Sequence, residues 1–151
     1  MTFTAQQIQD RLALEDLVDT FSNLADEKRV ADQLPLFTED AEVTTIIAGK
    51  VFAQAKGHKE IGEVFSSYLA QFRSVYHLNG QHTITFTGTD TATAINYCHV
   101  VLVQEKDGKQ LGTFHYVRYE DSYVRTGGQW LIGTRRANFM ISETREMQAA
   151  G

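Results

Sequence analysis

The sequence predicts an α+β fold in which three N-terminal helices pack on a strongly curved, mainly antiparallel sheet that encloses a pocket. Three observations predict it. Apolar residues recur at helical spacing over residues 5–25 and again over 58–71. From Ser74 onward, four long segments alternate in the β period and are separated by turn compositions. The alternation changes phase at Asn79-Gly80, which places a bend in the first of those strands.

The first helix opens on Thr4-Ala5-Gln6-Gln7, which has the form of a capping box. Leu14, Leu17, Val18, Phe21, Leu24 and Ala25 then share one face, so the helix runs from about residue 5 to about residue 25. A short second helix is predicted over Asp32 to Phe37, with Asp32 as its cap and Pro35 in the first turn, where a missing N–H is no loss. Thr38-Glu39-Asp40 closes it. Ala41 to Ile47 reads as a strand, Ala48-Gly49-Lys50 as a turn and Val51 to Ala55 as the returning strand. Ile61, Val64, Phe65, Tyr68, Leu69 and Phe72 mark a third helix over about 58–71. The remaining strands form an up-and-down meander with turns at Gly88-Thr89-Asp90, Lys106-Asp107-Gly108 and Thr126-Gly127-Gly128. Within it, Val75 and His77 share a face before the phase change, and His82, Ile84 and Phe86 share one after it.

At 151 residues the chain suits a single domain, 1–151, large enough to bury roughly 70% of its unfolded surface. The net charge of -5, with scattered basic residues, argues against a nucleic-acid partner. The N-terminus lacks the pattern of a signal peptide and no apolar run approaches the ~20 residues that span a bilayer, so no membrane association is expected and the expected compartment is the cytoplasm. The single cysteine, Cys98, reads as a small buried hydrophobe. Both faces of Ala92 to Val103 are largely apolar, which points to burial on both sides and hence to an oligomer.

Two residues stand out chemically. Asp26 closes the first helix, where the macrodipole favours a cation, and breaking a local rule is one signature of a functional position. His77 lies mid-strand among bulky residues, so its ring is either hydrogen-bonded in the core or open to a pocket. If the two meet, Asp26 holds one ring nitrogen and leaves the other as a general base. If they do not, Asp26 is a solvated turn residue beside Lys28 and Arg29, and His77 is structural. The pocket is expected to be lined by Phe21, Val43, Tyr68, Phe72 and Val75, with His99, His115 and Asn138 on the strands. Arg118, Arg135 and Arg136 also stand on late strands, where one arginine can hold an enolate or a substrate carboxylate, or where they bridge surface carboxylates such as Glu120 or Asp121; Arg118 is placed in the pocket. No histidine spacing makes a metal site, so no metal or other cofactor is expected. Trp130 reads as a core anchor.

Taken in order, Leu24-Ala25-Asp26, Leu36-Phe37-Thr38-Glu39-Asp40-Ala41, His77, Arg118-Tyr119-x-Asp121 and Gly127-Gly128-x-Trp130-x-Ile132 resemble the SnoaL-like branch of the NTF2-like superfamily over roughly residues 6–141. The resemblance implies a cone-shaped α+β fold with an interior pocket, assembled as a homodimer or homotrimer. It also implies roles for Asp26 and His77, which match the helix-1 aspartate and the strand histidine of scytalone dehydratases and hexachlorocyclohexane dehydrochlorinases. The chain departs from both. The dehydrochlorinase lysine falls at Phe21 and its pocket tryptophan at Val43. The tyrosine before the dehydratase aspartate is Ala25, and the Ser and Asn that complete that site fall at Val117 and Tyr119. Neither halide elimination nor scytalone itself is therefore expected.

The expected function is a lyase or isomerase that needs no cofactor and removes a proton from a small hydrophobic, cyclic molecule, with dehydration, isomerisation or cyclisation as the outcome. The alternative is a binding or assembly module of the same fold, like the small subunits of ring-hydroxylating dioxygenases. An enzyme requires Asp26 and His77 in contact within an enclosed cavity. An assembly module requires a filled interior and a broad exposed apolar patch.

Overall fold

A computed structural model describes residues 2–148. Helix α1 spans Ala5–Asp26, α2 spans Val30–Gln33 and leads into a 3-10 turn at Leu34–Leu36, and α3 spans Gly57–Leu69. The strands are β1 (Phe37–Ile47), β2 (Lys50–Lys56), β3 (Ser74–Phe86), β4 (Thr91–Lys106), β5 (Lys109–Thr126) and β6 (Gln129–Met147). They form one six-stranded sheet in the order β2-β1-β6-β5-β4-β3. Every neighbouring pair is antiparallel except β1 and β6, which run parallel.

The expected capping box starts α1. Thr4 Oγ1 accepts from the Gln7 amide at 3.1 Å, and Gln7 Oε1 accepts from the Thr4 amide at 3.0 Å. At the other end Lys28 takes a left-handed conformation (φ 57), and the amides of Lys28 and Arg29 close back on the carbonyls of Ala25 and Leu24. This closure turns the chain sharply just after Asp26. The Lys28 ammonium reaches the Phe72 carbonyl, tying the end of α1 to the start of the meander.

Two local expectations are corrected. The second helix begins at Val30 rather than Asp32, because Asp32 bonds the Arg29 guanidinium at 2.8 Å instead of capping a helix. It is also finished by Gln33, and Pro35 falls in the 3-10 turn. Strand β1 then starts at Phe37, four residues before its expected start, because Phe37 is drawn onto β6 opposite Ile132. The parallel β1–β6 pairing joins elements far apart in sequence, and no local pattern announces it.

Three of the hairpin turns place two consecutive residues at positive φ: Ala48-Gly49, Asp107-Gly108 and Gly127-Gly128. This backbone matches the right-handed twist of the flanking strands. The phase change at Gly80 is present as a register shift between Asn79 and His82. It bends β3, and Asn79 at the bend bonds Asp19 and Ser22 of α1. Further shifts fall at Tyr116/Val117 and Ser122/Tyr123 in the β5–β6 ladder, so the sheet curls around the helices.

The concave face holds the core. Leu14, Val18, Phe37, Ile61, Ile84, Trp130 and Ile132 form one end of it, and Leu69, Phe72, Val75, Cys98, Leu102 and Val117 form the other, with Phe65 packed against both. Cys98 is buried, its thiol pushed up to about 11 by desolvation, as suits a hydrophobe. Trp130 anchors the first cluster and donates to Asp10 at 3.2 Å, a buried acid that also pairs with Arg125. Gly62 lets the 3-10 turn press on α3, since a Cβ there would lie 3.3 Å from Leu34. Among the described residues no helix is long and apolar enough to cross a membrane.

The convex face is unusual for a surface. Tyr76, Leu78, Tyr97, Tyr116, Met140 and Ile141 lie exposed on β3 to β6, with Leu78 at 55% and Ile141 at 63%. Leu78, His99, Tyr116 and Ile141 are paired in one row across four strands. The outward side of β4 that looked apolar in the sequence belongs to this patch.

Candidate active site

Between the two ends of the core the cone keeps a cavity of about 230 Å³. Its walls come from α1 (Phe21, Ala25), α3 (Phe65, Leu69) and the concave sides of β3 to β6 (His77, Val100, His115, Tyr119, Arg135, Ala137). Ile47, Phe52, Val64 and Tyr68 are exposed and form its rim. Most of this lining is apolar.

Asp26 and His77 meet. The abrupt end of α1 turns the Asp26 carboxylate toward β3, and its Oδ1 accepts from His77 Nδ1 at 2.7 Å. That bond fixes the tautomer: Nδ1 carries the proton and Nε2 keeps its lone pair. Nε2 has no hydrogen-bond partner among the described residues, and His77 borders the cavity. The neighbouring acid, Glu27, pairs with Arg29 in solvent instead.

Of the expected pocket residues, Phe21, Val43, Tyr68, His77 and His115 border the cavity. Phe72 and Val75 do not; both are spent in the core beside it. His99, Arg118 and Asn138 are corrected outright, because all three point to the convex face. The inward residues of β4 are Cys98, Val100 and Leu102, which turns His99 out to stack on Tyr116 at 4.6 Å. Val117 and Tyr119 point inward on β5, which turns Arg118 out to Glu120 at 2.8 Å. On β6, Trp130 and Ile132 face the core, and strict alternation would carry Asn138 inward. The irregularity at Gly133 reverses the phase, so Arg135 and Ala137 face inward and Asn138 bonds the Arg118 carbonyl outside.

Of the three strand arginines singled out in the sequence, Arg135 is the one that faces inward, and it bridges Asp121. It is only 1% exposed, and Asp121 grips it with two bonds of 2.9 and 2.8 Å. Tyr119 and Phe21 hold its guanidinium between their rings, at 3.9 and 4.6 Å from the ring centres. Burial works against its charge, but the Asp121 carboxylate outweighs that and holds the guanidinium above its usual range. Desolvation holds the Tyr119 phenol above its own. Tyr123 donates to Asp121 at 2.8 Å and bonds His82 at 3.0 Å, so the buried ion pair is linked to a half-exposed imidazole.

His82 and His115 are both held below the ordinary imidazole value of 6.5, chiefly by desolvation. For His82, Asp121 and Glu15 oppose the shift while Arg135 and Arg11 add to it. The folded protein therefore binds fewer protons than the unfolded chain just below pH 6.5. Stability is unaffected by these groups above that pH and falls as pH drops toward the folded values. Thermal unfolding followed from pH 7 to pH 5 is expected to show a falling midpoint, with a shallower slope in His82→Gln. An equal slope would exclude His82 as a contributor.

A second concavity of about 410 Å³ lies on the convex face between Thr83, Thr93, Arg118, Glu120, Thr134 and Arg136. It is open, is lined by threonines and charged side chains, and holds no imidazole. The interior cavity, which borders His77 and His115, is the better chemical site.

A curved sheet wrapped over helices, with an interior cavity and an inward imidazole, defines the class of proteins with the NTF2-like, cystatin-like pocket fold. Residues 6–136 match the model of the SnoaL-like domain, and the chain belongs to that family. It is 29% identical to an uncharacterized protein of Mycobacterium tuberculosis over 83% of this chain and 82% of that one. Among solved structures, a Novosphingobium aromaticivorans protein provisionally assigned as a scytalone dehydratase superposes with a TM-score of 0.83 at 21% identity, over 98% of this chain and 95% of that chain. A hexachlorocyclohexane dehydrochlorinase follows at 0.79 and 16%, over 96% and 93%. An NTF2-like protein with a cystatin-like fold, also from N. aromaticivorans, gives 0.67 at 27%, over 89% and 84%.

Proposed function

We propose that the protein is a cofactor-independent lyase or isomerase in which His77, oriented by Asp26, removes a proton from a small hydrophobic cyclic substrate. The observation that carries this reading is the 2.7 Å bond between Asp26 and His77 Nδ1, which leaves Nε2 unpaired beside an apolar cavity. In the proposed step Nε2 takes a proton from a carbon next to a carbonyl. The C–H electron pair becomes a C=C bond, which either pushes the carbonyl π pair onto oxygen to give an enolate or expels a leaving group, with its bonding pair, from the next carbon. Asp26 stabilises the imidazolium that results, and the proton then passes to the product or to water. Dry walls strengthen each of these electrostatic contacts.

The test is solvent exchange. With small cyclic ketones in D2O, NMR is expected to show deuterium entering the position next to the carbonyl faster than in buffer alone. A panel of such ketones showing only the buffer rate would remove the catalytic reading.

The exposed convex patch favours one further reading, that copies of the chain associate through it. Its contiguous aromatic and aliphatic side chains are characteristic of a contact surface rather than of a monomer's exterior. Pairing of two such faces closes as a two-fold dimer, and a three-fold ring is another closed arrangement. Sedimentation equilibrium is expected to return a multiple of 17.0 kDa, reduced to the single-chain mass by Leu78→Asp with Ile141→Asp. A wild-type protein already at the single-chain mass would dismiss the contact.

A further inference from the structure

A row of paired residues crosses four strands on the concave face. His77 on β3 stands opposite Val100 on β4, Val100 opposite His115 on β5, and His115 opposite Ser142 on β6. His77, Val100 and His115 all border the cavity. Neighbouring strands lie about 4.8 Å apart, so the two histidines leave the sheet roughly 10 Å from each other with only Val100 between them. The sheet is concave on this side, which inclines side chains of the two flanking strands toward one another over Val100. A small ring resting on Val100 thus has an imidazole on either side of it.

The two imidazoles are held differently. Asp26 accepts from Nδ1 of His77, which leaves Nε2 an acceptor. His115 Nδ1 instead lies 2.6 Å from the Ser142 hydroxyl, an exposed and uncharged group. Of those two atoms the imidazole nitrogen is the stronger base, so the hydroxyl donates to it and the ring proton sits on Nε2. Desolvation holds His115 below the ordinary imidazole value, which keeps it neutral at pH 7 with that single N–H. Phe139, another wall of the cavity, meets the His115 ring edge to face at 4.7 Å and fixes its tilt. The row therefore presents an acceptor on one side and a donor on the other.

We propose that His115 is a second catalytic residue: its Nε2–H donates to the substrate's carbonyl oxygen while His77 takes a proton from the adjacent carbon. As the C–H pair becomes a C=C bond, the carbonyl π pair moves onto oxygen, and the growing negative charge strengthens the His115 hydrogen bond. The His115 proton stays on nitrogen throughout. A neutral imidazole polarises a carbonyl in this way without carrying a net charge into an apolar cavity. The inference rests on His77 being the base. It adds the group that holds the oxyanion, and it orients the substrate with its oxygen toward β5 and its acidic C–H toward β3.

Proton–nitrogen correlation NMR of the wild-type protein at neutral pH reads both tautomers, with the proton expected on Nδ1 of His77 and on Nε2 of His115. A His115 proton on Nδ1 would overturn the proposal without any variant being made. With 2-tetralone as the ketone, His115→Leu is expected to slow deuterium entry beside the carbonyl by about 10²–10³-fold, the usual cost of removing one oxyanion donor. Ketone affinity, followed by NMR titration, is expected to fall only about two- to tenfold, the worth of one hydrogen bond to the ground state. Tetralin, which has no oxygen, should bind His115→Leu no more weakly than it binds the wild type. His115→Gln keeps an N–H near the same place and is expected to recover most of the rate. Exchange that proceeds undiminished in His115→Leu, or a ketone and tetralin that weaken together, would reject His115 as the donor while leaving His77 as the base. Wild-type protein that leaves 2-tetralone unexchanged, yet loses ketone affinity alone in His115→Leu, would instead sink the His77 reading and keep His115 as the group that binds the carbonyl.

Discussion

Replacing His77 with alanine is expected to slow deuterium exchange into a ketone substrate by about 10²–10⁴-fold, the usual contribution of a positioned general base. The loss should appear in kcat more than in KM, because the imidazole acts on the reacting C–H and most of the binding surface lies on the apolar walls. Asp26→Asn is expected to fall in the same range for a different reason. Asp26 does not reach the cavity itself, so it is a positioning residue. An asparagine amide facing Nδ1 can donate to it, which places the imidazole proton on Nε2 and removes the lone pair from the cavity side. Binding of an apolar probe should survive both changes. An exchange rate unchanged in His77→Ala would place the base elsewhere in the cavity, with His115 the next imidazole to test.

The largest effect on stability is expected from Asp121→Ala. Arg135 and Asp121 are both sealed from solvent, and removing the carboxylate leaves a buried guanidinium whose remaining contacts are aromatic faces. Breaking a buried pair on one side costs about 3–5 kcal/mol. For a chain of this length that is a fall in Tm of roughly 10 °C or more. The double variant Asp121→Leu with Arg135→Met is expected to lose less than Asp121→Ala alone, because it leaves no orphaned charge. Urea unfolding of the three proteins gives the comparison, and a double variant as unstable as the single one would show that packing, not charge, sets the loss. Tyr123 would also lose its acceptor in Asp121→Ala, so its phenol should fall from its present high value, where desolvation and then the Asp121 charge keep it neutral.

Local rules made much of the cone legible. The capping box, the apolar stripe of α1 and the turn residues between strands each act over a few positions, and all of them form. The Asp26–His77 pair was legible for the same reason: an acid at the negative end of a helix, and a histidine among bulky strand residues, both go against local preference. What could not be read depends on register between distant segments. The β1–β6 pairing moves the start of β1 to Phe37. The irregularity at Gly133 decides whether Arg135 or Asn138 faces inward, and a single residue of slip exchanges the two faces. Asp121 opposite Arg135 was the one available clue, an acid and a base that pair across neighbouring strands.

The position of β6 between β1 and β5 has a consequence for biosynthesis. A ribosome delivers β6 after the other five strands, yet β6 is what joins the β1–β2 hairpin to the β3–β5 meander. Until it emerges, the nascent chain holds two separate sheet fragments whose inner edges lack hydrogen-bond partners, and the hollow has no floor. Closure of the cone therefore waits for the sixth strand, whatever the order in which the earlier pieces settle.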